Sequence, residues 1–417
     1  MNAVSASILV FLLSALCFAP RRWALVSIVV GIFFLSQGHF IPMGGVQITP
    51  LRFLEAAGFV RVIVRRELVW RRLSRLDWLL LLTYNYTGVV WLIRESDFGR
   101  PLSLAFDATL CYLTFRALIG GTDDVRWFLR VFAVLLIPYT ALILYEFLTN
   151  QSGFAAVGAF ISGDFRRGML RCQGAFRHPV LLGSVAAAFL ALYIPLALER
   201  GRRAGAVMGC ALCLALVVLS NSGGPLTSMA AAFLGWAVWP FRGRMALVRR
   251  AAAAMLIGIS LVMKDSIWYL PFKLSKIVGG TGYHRAVIME KAWQQMDRWW
   301  LAGMPIQATA SWMPYVLFFG GADITNEYLI FGIHGGLFAL LFFITILVVA
   351  FRYLGRTLRV IRISGEDRAR ERLIWGLGVA LFVHAVSWIG VSYFDQTFAV
   401  WLLHLALTSG AISESVA

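Results

Sequence analysis

The chain has 417 residues, 60% of them hydrophobic and only 14% charged, with a mean hydropathy of +0.76. That balance excludes an ordinary soluble domain, and repeated apolar runs of helix-spanning length point to an all-α, polytopic integral membrane bundle; barrel strands would appear as short alternating segments. The net charge of +17 sits mostly in short connections between apolar runs, where basic residues set membrane topology, so nucleic acid is not an expected partner.

The first apolar run, residues 4–19, lacks a basic leader and is followed at once by a second at 23–36, which reads as a retained helix and not as a cleaved signal. Further runs lie near 51–64, 78–93, 101–119, 128–148, 179–198, 204–220, 226–239, 250–264, 324–350, 373–393 and 397–412, giving twelve or thirteen expected spans in a single membrane domain, 1–417. Arg61 to Arg75 holds six arginines against Glu67, Arg242 to Arg250 holds four with no acid, and Arg352 to Arg372 holds seven against Glu366, Asp367 and Glu371. Parity puts these segments, with Glu199 to Arg203, on one side of the membrane, and the positive-inside rule makes that side the cytoplasm. Two long segments, 149–178 and 264–323, then lie on the external face.

Four of the five cysteines, Cys17, Cys111, Cys210 and Cys213, lie inside apolar runs, and Cys172 alone lies in a loop. The spacing Cys210-Ala-Leu-Cys213 matches a redox motif, but in mid-helix it reads as small packing residues. No disulfide, metal or cofactor is expected.

The first external loop ends in Arg171-Cys-Gln-Gly-Ala-Phe-Arg-His-Pro179, after Arg166 and Arg167. Arginines kept on the side that topology disfavours ask for another reason, and an anion at the mouth of the helix that starts at Pro179 supplies one. The second loop holds all four lysines, Lys264, Lys273, Lys276 and Lys291. Within it Tyr283 to Trp300 reads as one amphipathic helix, with Ile288, Met289, Ala292, Trp293 and Met296 as its apolar stripe and Gly279 to Gly282 as a flexible lead-in. Such a helix suits the membrane surface, with Trp299 and Trp300 at interfacial depth; alternatively it places Arg285 over the first loop. Few ionisable residues interrupt the apolar runs, chiefly Arg52, Glu55, Asp107, Arg116, Glu146 and Asp395, and no internal repeat is visible, so the pattern does not favour a proton-coupled transporter.

With the loops placed, four blocks in order resemble the bacterial O-antigen ligase and polysaccharide polymerase superfamily. Arg171-x-x-Gly174-x-Phe176-x-His178-Pro179 is similar to the family's Arg-x-x-Gly-x-Phe-x-Asn-Pro, Ser220 to Pro225 to its Ser-Arg-Gly turn, and Tyr283-His-Arg285 with Trp300-Leu-Ala-Gly303 to its Arg-containing loop helix. Asp323-Ile-Thr-Asn-Glu-Tyr-Leu329 with Gly335-Gly-Leu337 resembles its His-Asn-x-x-Leu and Gly-Leu block, except that Thr325 stands where the family has its histidine while Asn326 is kept. The likeness covers roughly residues 165–345. It implies a GT-C-like bundle in the bacterial inner membrane, with a periplasmic site that transfers glycan from an undecaprenyl-diphosphate-linked oligosaccharide. Membrane lipids, a flippase and the chain-length or export proteins of the same pathway are the partners it implies.

Such a transfer needs stabilisation of the leaving diphosphate and a base for the acceptor hydroxyl. Arg171, Arg177 and Arg285 are the candidates for the first task, with Arg166 and Arg167 as outer charges, because the planar guanidinium holds phosphate oxygens bidentately. Gly174, Pro179 and Asn326 are supporting residues. Glu327 is the first candidate base, followed by Asp323, Glu290 and His178. Plainer roles stand beside these: Arg166 and Arg167 as lipid-headgroup contacts, His178 as a helix cap, Glu290 as a solvated partner of Lys291, and Trp299, Trp300 and Trp312 as interfacial anchors. The expected activity is polymerisation of lipid-linked repeat units. Ligation of finished polymer to a lipid A core is the alternative, weakened by Thr325, and a transporter or flippase of lipid-linked saccharides is a more distant one.

Overall fold

The computed structural model describes residues 1–43, 46–94, 98–159, 165–166, 168–199, 203–273, 282–313, 320–365 and 368–413. Each of the thirteen apolar runs forms a helix. In chain order these are α1 (Ala3–Phe18), α2 (Arg21–Phe34), α3 (Pro50–Val64), α4 (Arg75–Arg94), α5 (Gly99–Leu118), α6 (Thr122–Thr149), α7 (Pro179–Ala197), α8 (Arg203–Leu219), α9 (Gly223–Ala237) and α10 (Met245–Val262). The second loop contributes α11 (Gly282–Gln294) and α12 (Met296–Trp299), and α13 (Glu327–Ser364), α14 (Arg368–Ser387) and α15 (Asp395–Ser413) close the chain. Two short antiparallel hairpins, Ile41–Met43 with Val46–Ile48 and Phe165–Arg166 with Met169–Leu170, are the described strands.

Among the described residues, five segments are long and apolar enough to cross a membrane: α4, α6, α7, the stretch Trp239–Val262 that contains α10, and α13. Helices α1 and α8 are apolar but shorter. Helix α7 is the centre of the bundle: Pro179 opens it at the first helical position, where a missing N–H costs nothing, and nearly all its residues are buried against α8, α9 and α14. Its small residues, such as Ala186, Ala187 and Ala191, let those neighbours approach closely. Helix α10 is the opposite case and buries none of its residues in the protein.

The helices set up two ends. The N-termini of α7, α9, α13 and α15 gather at one, with the two hairpins and the long loops. The other collects the arginine-rich connections: Arg242 bonds Glu371 at 2.9 Å, Arg372 reaches the Leu198 carbonyl at 3.1 Å, and Arg116 reaches the Arg72 carbonyl at 3.1 Å. Among the described residues these contacts bring the arginine-rich connections to one end of the bundle.

The second loop departs from the expected single surface helix. It breaks at Gln295 into α11 and α12, and it has a core of its own in which Ile288, Ala292, Trp299, Met304, Ile306, Trp312 and Ile333 are buried together. Trp299 and Trp312 are thus packing residues, only 5% and 2% exposed, and not interfacial anchors; Trp293 of the expected stripe faces outward instead. The indole of Trp299 donates to the Ala292 carbonyl at 2.8 Å, turning the chain back on itself. This small cap is stitched to α13 where Gly336 leaves helical geometry (φ 73°): the Met304 and Leu337 amides donate to the carbonyls of Ile333 and Trp300, both at 2.7 Å.

Candidate active site

The turn after α8 is built to orient Arg171. Ser222 caps the approach to α9, its hydroxyl donates to the Ser220 carbonyl at 2.7 Å, and the same oxygen accepts from Arg171 Nη2 at 2.8 Å and Nε at 3.2 Å. Asn221, at φ 43°, crosses to the first-loop hairpin and donates to the Arg166 and Met169 carbonyls at 3.0 and 3.2 Å. The Ser-Asn-Ser block thereby locks the first loop to the start of α9. From below, the Glu146 carboxylate of α6 accepts the amides of Gln173 and Gly174 at 2.8 and 3.2 Å. Gly174 is required there, since φ is +59° and a Cβ would stand 2.6 Å from Ile143. Cys172 is buried in the same turn; burial, then the Glu146 charge, pushes its thiol up to about 12, which makes it inert.

Helix α11 brings Arg285 over this floor. Its guanidinium lies against the backbone of Gly390, where a Cβ would meet Cζ at 2.9 Å, and a Cβ on Gly224 at the start of α9 would be 3.6 Å from its Nη2. Arg285 Nε is buried without a hydrogen-bond partner. Its pKa is lowered first by burial and then by the neighbouring charges of Arg166 and Arg171, with Asp323 acting in the opposite sense. Three cations, two from the first loop and one from α11, therefore share one electrostatic field beside the N-terminus of α9, an arrangement suited to a multiply charged anion.

Asp323 is the acid of that field. Burial raises its pKa, while His284 and Arg285 draw it back. His284 Nε2 sits 3.0 Å from the Asp323 carbonyl, which fixes the ring beside Arg285. No family model, curated protein or solved structure matches the chain. The site is therefore read from its own geometry.

The other sequence candidates divide. Glu327 is 5% exposed; it accepts the Tyr393 amide at 2.7 Å, and Tyr84, Tyr328 and Tyr393 are the groups that feel its charge. It anchors the turn between α14 and α15. Asn326 caps α13 through the Leu329 amide at 3.0 Å and donates to the Ile389 carbonyl at 3.2 Å, holding the strip next to Gly390. His178 caps α7, its Nδ1 accepting from the Val180 amide at 3.1 Å. Glu290 takes the Trp268 indole at 2.6 Å and Gln294 at 2.9 Å, so its partners are within the cap.

Arg177 points elsewhere. It pairs with Asp395 at 2.6 Å and donates to the Gln37 carbonyl at 3.2 Å, next to the bidentate Arg52–Asp107 pair. Arg167 lies outside the described residues. Sequence reasoning passed over His284, although it adjoins Arg285 in the loop-helix block while Thr325 stands at the histidine position of the next block; that adjacency was the available signal. Among the described residues no group of three or more histidine, cysteine, aspartate or glutamate side chains could hold a metal ion.

Proposed function

We propose that the chain is a membrane glycosyltransferase that polymerises lipid-linked saccharide repeat units, taking glycan from undecaprenyl diphosphate. The observation that carries this reading is the convergence of Arg166, Arg171 and half-buried Arg285 beside Asp323 and His284. In the proposed reaction an acceptor hydroxyl oxygen attacks the anomeric carbon, the carbon–oxygen bond to phosphate breaks, and the electron pair leaves on the diphosphate. Arg171 and Arg285 hold that growing charge, and the hydroxyl proton passes to Asp323 or, through the adjacent ring, to His284. The phosphate can lie across the first turn of α9, where helix amides are free.

The reading includes an inner-membrane bundle of twelve or thirteen spans, GT-C-like, with this site at the periplasmic face and the arginine-rich end in the cytoplasm. A flippase that delivers the lipid-linked unit and chain-length or export proteins are the partners it requires. Ligation to a lipid A core uses the same donor chemistry and differs only in acceptor.

The test is reconstitution of the purified protein in lipid with a diphosphate-linked repeat unit alone. Growth to higher oligomers, without nucleotide sugar, is expected. A competent substrate left unchanged, or transfer only to a lipid A core acceptor, would sink the polymerase.

A further inference from the structure

At the opposite end of the bundle a cavity of about 810 Å³ opens among α2, the connection from α3 to α4, α5, α13 and α15. Six arginines line it: Arg21, Arg71, Arg72, Arg75, Arg116 and Arg356. One lining acid, Glu67, is already engaged by both arms of Arg61 at 3.0 Å. Arg21 has a partner in Asp124 at 2.5 Å, and Arg116 leans on buried Asp77 at 3.5 Å while its Nε, buried, makes no hydrogen bond. Asp77 is itself held by Tyr112 and Ser409, so the floor of the cavity is a fixed polar layer. The remaining wall is apolar, formed by side chains such as Leu68, Ile119, Val360 and Ile412.

Loop arginines on this side need no ligand when they only set topology. These differ in three respects: they converge from separate elements on one volume, the volume is of ligand size, and a greasy wall adjoins the charge. A free anion has no use for that wall, whereas a lipid phosphate brings acyl chains to it.

We propose that this cavity is a binding site for the phosphate headgroup of an anionic lipid, distinct from the Arg171–Arg285 site and independent of the reaction assigned there. Roughly 28 Å separates the two ends along α15, at 1.5 Å for each of its 19 residues. One phosphate headgroup cannot occupy both.

The test uses the full chain in mixed phosphatidylglycerol and phosphatidylcholine nanodiscs, with bound lipid counted by native mass spectrometry after delipidation. The wild type is expected to keep phosphatidylglycerol. The Arg71→Ala, Arg72→Ala, Arg356→Ala triple variant should bind it on the order of a hundredfold more weakly, about fivefold for each arginine removed. The corresponding lysine triple should retain it, and an equal loss of charge at exposed Arg244, Arg249 and Arg250 should leave retention unchanged. If the alanine triple fails to fold, Arg356→Ala alone is read, with a fivefold loss expected. Equal retention by wild type and the cavity variant, or equal loss from the control triple, overturns the site. Full thermal protection of delipidated protein by inorganic pyrophosphate, with none from phosphatidylglycerol, overturns the lipid as its occupant.

Discussion

Two arginine clusters lie at the same end of the bundle and have opposite electrostatics. Arg177 and Arg52 are met by Asp395 and Asp107 at 2.6 and 2.9 Å, and their charge is spent within the fold. Arg285 shares its surroundings with two more cations, and its Nε has no protein partner. Holding like charges together without a ligand is unfavourable, and the diphosphate proposed above would relieve it. Arginine content alone does not distinguish the clusters; the excess of cations over the one acid, Asp323, does.

Breaking that contrast at its strongest point means Arg285→Ala, expected to lower polymer formation by roughly 10²–10³-fold with thermal stability unchanged or slightly raised, as measured by reconstituted turnover and a melting scan. Lysine should rescue it only in part, because the fork geometry is lost. Next in size is Asp323→Asn. The raised pKa of Asp323 means that the base form is lost as pH falls through a value above the ordinary aspartate range; wild-type kcat/KM should show an acidic limb there, and the variant should lose both that limb and about 10²-fold in rate. A profile unchanged in shape would assign the proton to His284.

Gly390→Ala sharpens the comparison without touching charge. The added methyl meets the Arg285 guanidinium at about 3 Å, so an approximately tenfold loss of kcat/KM is expected with little change in melting temperature, since a flexible side-chain tip can move aside. Smallest in activity is Arg177→Ala, predicted to keep turnover per folded molecule within about threefold. Its effect should fall on stability instead, roughly 1–2 kcal/mol, because Asp395 loses its partner while the half-exposed arginine is screened by solvent. A collapse of turnover in folded Arg177→Ala protein would erase the distinction between the clusters.

The thirteen helices were legible because each is a long apolar run, and the arginine-rich connections between them were legible from composition. The continuation of α13 past residue 350 was not, since Arg352 to Arg362 carries no apolar signal beyond the span. Trp299 read as an interfacial anchor because a tryptophan beside a membrane helix usually is one; its burial depends on Ile306 and Ile333, which only the folded cap brings to it. Likewise Arg171 and Arg177 look equivalent in one motif, and the difference lies in Asp395, over two hundred residues away. Local pattern identifies who is available at a site, and long-range pairing decides where each side chain is held: Arg177 against Asp395 and Arg171 against Ser222.

The break at Gly336 has a mechanical meaning. A backbone that leaves helical geometry frees amides and carbonyls, and here segment 300–304 takes two of them. Any residue with a Cβ at 336 would have to adopt φ +73° and face the Leu301 carbonyl at 2.5 Å. The cap is therefore riveted to a rigid strut, and the gap between Arg285 above and Arg171 below is gauged by that rivet.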